Sequence, residues 1–304
     1  MTPAALAPPI HRPIAAALWM VGSIMSFTAM AVAGRAIAGQ HDTFEIMLWR
    51  SVVGFLLVLA VAGAAGRLGE IQTARLGQHG LRNIVHFSGQ NLWFWSLTQI
   101  PLAQLFALEF TSPIWVLLLS PLVLGERLTL MRVFAAALGF TGAMIVARPD
   151  FSDPNPAIVA AAASAICFAG SVMMTKKLTR GESLVSILFW LTLMQTGLGL
   201  LAAGHDGRIA LPTLTSLPWL CVIGAGGLVA HLCLTKALSL ASASVVVPID
   251  FVRLPLIAVV GMLFYGEGFD IWVLIGGAVI FLGNGLNIRS ENRRHAIARN
   301  VTKS

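Results

Sequence analysis

Ten apolar stretches, each long enough to cross a bilayer as a helix, occupy most of this chain and limit what it can become. They run over residues 14–36, 44–65, 82–99, 102–124, 130–147, 156–176, 184–203, 216–238, 242–264 and 270–288. A helical crossing needs about 17 to 25 residues. Lipid offers no partner to a free amide or carbonyl, so each stretch must bond its own backbone, and an open sheet is excluded. The connections are short and carry turn formers: Gly-Gln-His-Asp at 39–42, Pro101, Pro149 with Pro154 and Pro156, and Gly266. No separate soluble domain fits between them. Only 11% of residues are charged, against roughly 25% in soluble domains. The expected fold class is all-α integral membrane.

Charge placement orients the spans. With the N-terminus inside, fifteen of the twenty Lys and Arg residues fall on the cytoplasmic side, Arg12, Arg67, Arg75 and Arg82 among them. Three, Arg35, Arg148 and Arg208, fall opposite, and Arg50 and Arg253 lie within spans. This asymmetry predicts that both termini are cytoplasmic. The net charge of +7 does not point to nucleic acid, because the basic residues are dispersed between apolar segments. The basic stretch 290–304 reads as a cytoplasmic tail anchored at anionic lipid. Cys167, Cys221 and Cys233 sit in apolar runs and read as small core residues. Ala-Val-Ala at 31–33 mimics a signal-peptidase site, but the same span has a counterpart in the second half, so no cleavage is expected.

That counterpart belongs to a repeat. A shift of 141 residues places Glu109 on Asp250, Phe110 on Phe251, Gly125-Glu126 on Gly266-Glu267, and Gly142 on Gly283. It also places Ser23 on Ser164, Phe27 on Phe168 and Arg35 on Lys176. A gapless fixed offset signals duplication. Each copy has five spans, an odd number, so the second enters from the opposite side. Residues 14–148 and 155–289 are therefore read as two inverted five-helix repeats, an architecture of secondary transporters with a site near the midplane. Each copy ends with a helix closing on Gly-Glu and a helix rich in small residues, LGERLTLMRVFAAALGFTGAMIVARP and YGEGFDIWVLIGGAVIFLGNGLNI. In these segments the chain resembles the EamA family of the drug/metabolite transporter superfamily. The resemblance implies ten helices, transport of small organic solutes and residence in the inner membrane. It assigns no role to the mirrored acids.

Ionisable groups inside the spans are the candidate machinery, since a charge at a helix centre costs about 2.5 to 3.5 kcal/mol on the mildest scale. Depth along the spans predicts an outer pair, Glu109 with Arg50, and an inner group of Asp250, Arg253 and His231. Such groups hold a zwitterionic solute, exchange protons, or lock helix register. In span three, His86, Gln90 and Trp93 share a face, with Asn91 on a neighbouring one. An amide beside an indole suits a flat aromatic solute. Trp19, more than a turn inside span one, is a further cavity candidate. Pro113, Pro248 and Pro255 interrupt spans four and nine and are expected to kink them for gating or packing. Glu126 and Glu267 read as helix braces. The small residues Ala135, Gly139 and Ala143, and Gly276, Gly277 and Gly283, allow close packing within the bundle or between chains, so monomer and homodimer both stay open.

The expected function is secondary-active transport of a small polar metabolite by alternating access, with proton coupling through Asp250. The candidates are an amino acid, a vitamin or a nucleoside-like compound, with a polar aromatic solute such as a flavin or aromatic amino acid preferred. The alternatives are an intramembrane enzyme and a non-transporting scaffold. The enzyme would need a nucleophile–base constellation or paired metal ligands. The sequence holds no G-x-S-x-G, no H-E-x-x-H, no Walker motif, and no second histidine at ligand spacing from His231. No cofactor or metal is expected. The scaffold has no need of mirrored acids.

Overall fold

The computed structural model describes residues 12–124, 130–148, 155–241, 245–246, 249–268 and 270–301. The helices are α1 (Pro13–Ala36), α2 (Thr43–Ala64), α3 (Leu76–Leu97), α4 (Leu102–Glu109), α5 (Ser112–Leu124) and α6 (Leu130–Ala147), followed by α7 (Pro156–Leu178), α8 (Leu184–Ala203), α9 (Leu217–Leu240), α10 (Arg253–Tyr265) and α11 (Ile271–Val301). Among the described residues there is no strand, and a lone bridge from Ala38 to His41 closes one loop. With α4 and α5 forming one crossing, the chain is an all-α integral membrane protein of ten spans in two inverted five-span repeats. Among the described residues five helices, α1, α2, α7, α8 and α9, are each long and apolar enough to cross a membrane.

Local chemistry sets the helix starts. Asp42 Oδ1 accepts from Glu45 N (2.8 Å) and Glu45 Oε2 from Asp42 N (3.2 Å), a reciprocal cap on α2. Asn155 accepts from Ala157 N ahead of Pro156, and Ser183 accepts from Ser186 N. Helix α11 runs unbroken past Arg289 to Val301, so the basic stretch after residue 289 continues it. Helix α3 starts six residues before the span predicted at 82, because His79, Arg82 and Asn83 face the bundle and are buried. Hydropathy cannot distinguish a polar residue facing protein from one in a loop.

The two repeats interlock. The most extensive packing joins α1 to α9, α3 to α7, α2 to α8 and α6 to α11, each pair drawn from both halves. The α6–α11 crossing repeats itself across the pseudo-twofold axis. A Cβ on Gly142 would lie 2.5 Å from Gly276 O, and one on Gly283 would lie 2.9 Å from Ala135 O. Since Gly142 matches Gly283 and Ala135 matches Gly276 at the 141-residue offset, these are one contact made twice. The small-residue faces are thus spent within the bundle.

Spans four and nine are not continuous α-helices. Helix α4 ends at Glu109, Phe110 and Thr111 form a turn, and α5 restarts at Ser112. Its mate changes at the matching place, where a 3-10 turn over Asp250–Val252 runs directly into α10 at Arg253. This changes the role of the prolines. Pro113 is the second residue of α5, a first-turn position where a missing amide hydrogen costs no intrahelical bond, so it opens a helix instead of kinking one. Pro255, the third residue of α10, comes just after the 3-10 turn. Pro121 is the proline inside α5. Pro248 and Glu126 lie outside the described residues.

Candidate functional site: a central cavity around Arg253

The interrupted spans bring both acids to one arginine. Arg253 Nη2 donates to Glu109 Oε1 at 2.6 Å and to Asp250 Oδ2 at 2.5 Å. The guanidinium lies over the rings of Phe106 (4.8 Å), Phe27 (5.1 Å) and Phe110 (5.4 Å). Glu109 Oε2 accepts from Trp93 Nε1 at 2.6 Å. Arg253 is 2% exposed, and a guanidinium so deep is tolerable only with such partners. The triad joins α4 to α10, and Trp93 ties it to α3.

The predicted Asp250–Arg253 pair is present, and the predicted Glu109–Arg50 pair is not. Glu109 bonds Arg253, not Arg50, and there are no separate outer and inner groups. Depth along a span gives height in the membrane but not direction around the helix, and Arg50 points toward α9 at Gly227. His231 also stands apart from the triad's hydrogen bonds. Its ring meets His86 edge to face at 4.8 Å and Phe27 at 5.5 Å. His86 comes from α3, so no spacing along the chain could reveal that partner.

The triad forms one wall of a cavity of about 960 Å³, measured out to its open mouth. The repeat places Phe27 opposite Phe168 and Gln90 opposite His231, and all four line it together with Glu109 and Asp250. Its polar atoms are under-used. Arg82 Nη1, His86 Nε2, Gln90 Oε1, His231 Nε2, Asp250 Oδ1 and Arg253 Nε are buried without a hydrogen-bond partner among the described residues. Arg82 Nε donates to Thr175 Oγ1 at 2.6 Å, and Ser171 Oγ shares a hydrogen bond with His86 Nδ1 at 3.2 Å. Unpaired buried polar atoms are costly, so a lining that displays six is built to meet a solute's edge or ordered water.

Of the remaining sequence candidates, Gln90 and Trp93 are buried and line the cavity, and so does Pro113. Trp19 does not. It is 39% exposed, one position off the inward row of Met20, Ser23, Phe27 and Met30, a rotation of about 100° on a helix. Asn91 is half-buried, donates to Phe87 O and is not part of the cavity lining. Arg82, Thr175 and the two symmetry-related phenylalanines were not singled out by sequence reasoning. Arg82 stands four residues before His86 and eight before Gln90, a helical row that could have exposed it.

Both ends of the bundle are tied by cations. Arg35 Nε and Nη2 donate to Leu97 O (3.2 Å) and Ile100 O (2.6 Å) at the end of α3, and Arg35 pairs with Glu267. Glu267 also accepts from Leu102 N, so it caps α4 of the other repeat. At the opposite end Lys176 Nζ donates to Leu238 O (2.6 Å) and Ala241 O (2.7 Å).

A family model described as the EamA-like transporter family matches the chain twice, over residues 14–148 and 155–289. A riboflavin transporter of Vibrio cholerae serotype O1 is 30% identical over 301 residues, 96% of this chain and 98% of that protein. A riboflavin transporter of Rhizobium johnstonii is 32% identical, covering 97% of each chain. An S-adenosylmethionine uptake transporter of Rickettsia bellii is 26% identical, over 90% of this chain and 94% of its own. One solved crystal structure superposes with a TM-score of 0.70 at 17% identity, over 91% of this chain and 98% of the other, a likeness of fold alone.

Proposed function

The chain belongs to the EamA-like transporter family and is a small-metabolite transporter of the membrane; on that premise we propose that its solute is a flat, polar heteroaromatic molecule of the flavin type, moved by alternating access. One observation carries this reading: a single cavity combines aromatic walls from both repeats with a row of unbonded donors and acceptors. Rings stack on a tricyclic solute while its heteroatom edge meets Arg82, Gln90 and the histidines. The two relatives at 30% and 32% identity are named for riboflavin.

A cationic sulfonium solute, as the Rickettsia relative's name suggests, is the weaker reading. The carboxylates that would attract it are already bonded to Arg253, and Arg82 adds a second cation to the same lining, so the cavity as a whole offers a cationic solute no net attraction. Transport, not catalysis, is the activity proposed. The termini face the cytoplasm of a cell bounded by this inner membrane, on a distribution of basic residues that is still fourteen to three once the buried Arg82 is set aside. Asp250, with Oδ1 unbonded, is the coupling site for protons.

Titrating the purified protein with riboflavin tests the reading. Flavin absorbs where indoles emit, so binding beside Trp93 quenches tryptophan fluorescence saturably, and the thermal midpoint rises. Phe27→Ala and Phe168→Ala should each weaken binding about tenfold, near the worth of a stacked aromatic pair. Stabilisation by S-adenosylmethionine and none by riboflavin would overturn the assignment in favour of the sulfonium.

A further inference from the structure

A second cavity lies between α2, α8 and α9, outside the solute site except for the shared wall of His231. It is small, about 280 Å³ out to its mouth, and is lined by Arg50, Ser51, Gly54, Thr192, Gln195 and Gly227 among others. Arg50 is buried, with 6% exposure, and makes no hydrogen bond or ion pair among the described residues; its Nε is wholly enclosed and unbonded. No carboxylate lines the cavity. The space is kept for this guanidinium, since a Cβ at Gly227 would lie 2.7 Å from Arg50 Nε and 2.8 Å from Nη2.

An arginine buried in a membrane bundle without a counter-charge is unstable on its own. The hydroxyls nearby do not neutralise it: Ser51 and Thr192 donate to Met47 O and Leu188 O, neither accepts from Arg50, and neither carries a charge. Gln195 is held by its amide, donating to Asn83 O and Oδ1, which leaves Oε1 unbonded, as is His231 Nε2. We propose that this cavity binds one monovalent inorganic anion of chloride size, held by the Arg50 guanidinium. A water between the anion and Gln195 Oε1 donates to both. One cation and walls of glycine, serine and threonine suit a compact monovalent ion and leave a polyanion undercompensated. The anion would bridge α2 to α8 through the water, neutralising the charge beside the solute cavity without touching the solute.

The test needs no flavin, so its failure is separate from failure of the solute assignment. The thermal midpoint of the purified protein is followed as sodium gluconate is replaced by sodium chloride at constant ionic strength. Chloride tenfold above its dissociation constant should raise the midpoint saturably by roughly 3 to 5 °C. The rise should vanish in Arg50→Gln and shrink in Gly227→Ala, whose methyl group displaces the guanidinium. If Arg50→Gln does not fold, Gly227→Ala decides. Equal midpoints in gluconate and chloride, or a full chloride response in both variants, would overturn the proposal and leave the cavity to water alone.

Discussion

Arg35 and Lys176, 141 residues apart, tie matching carbonyls at opposite ends of the bundle. Arg35 binds those of Leu97 and Ile100, and Lys176 those of Leu238 and Ala241, which are the same positions one repeat later. Each cation sits where the C-terminal carbonyls of a neighbouring helix are left unbonded. An inverted repeat turns one such contact into two latches, one per membrane face.

Alternating access requires the latches to release in turn. Arg35→Gln should favour the conformation open on the Arg35 side, and Lys176→Gln the one open on the Lys176 side. Hydrogen bonds from a charged group are worth about 1.5 to 3 kcal/mol, so each population should shift tenfold or more. Alkylation of single cysteines placed near either mouth reads this directly. Shifts in the same direction would mean the contacts are static braces.

Removing Arg253 leaves two carboxylates facing each other in the bundle. Arg253→Gln should lower stability by about 3 to 5 kcal/mol. Adding Glu109→Gln and Asp250→Asn should recover much of it, because the uncompensated charges go too. Denaturation midpoints of the single and triple variants measure this coupling. Additive losses would contradict a shared triad.

The α6–α11 crossing gives a packing test. Gly276→Ala should cost about 1 to 3 kcal/mol, since its methyl would enter the backbone of Gly142. Gly285→Ala meets nothing within 4 Å and should be neutral or slightly stabilising. Thermal midpoints of the two variants make the comparison.

Much of this fold was legible because lipid leaves few options. Apolar length gave the spans, and the offset joining Glu109 to Asp250 gave the inversion. The breaks at those same residues were not seen, since an uninterrupted apolar run looks the same whether one helix or two cross it. Gln90, Trp93, Asp250 and Arg253 were found by being polar where polarity is costly. Their partners were not, because pairing depends on rotation about ten helix axes. Arg82 was hidden for a related reason: at the edge of an apolar stretch it reads as a loop charge, although its side chain is buried and bonded to Thr175.

Orientation has its own test. A cysteine placed at Ser290, with the native cysteines replaced, should resist a membrane-impermeant thiol reagent in intact cells and react after permeabilisation. Labelling in intact cells would reverse the assignment of faces.

Flux decides the central claim. Proteoliposomes carrying the purified protein should take up labelled riboflavin saturably, faster under a pH gradient, with excess unlabelled riboflavin competing and S-adenosylmethionine not. Asp250→Asn should lose the pH acceleration, and Arg82→Gln should weaken apparent affinity about tenfold, the worth of one charged hydrogen bond. No protein-dependent riboflavin uptake, or uptake blocked by S-adenosylmethionine, would contradict the account.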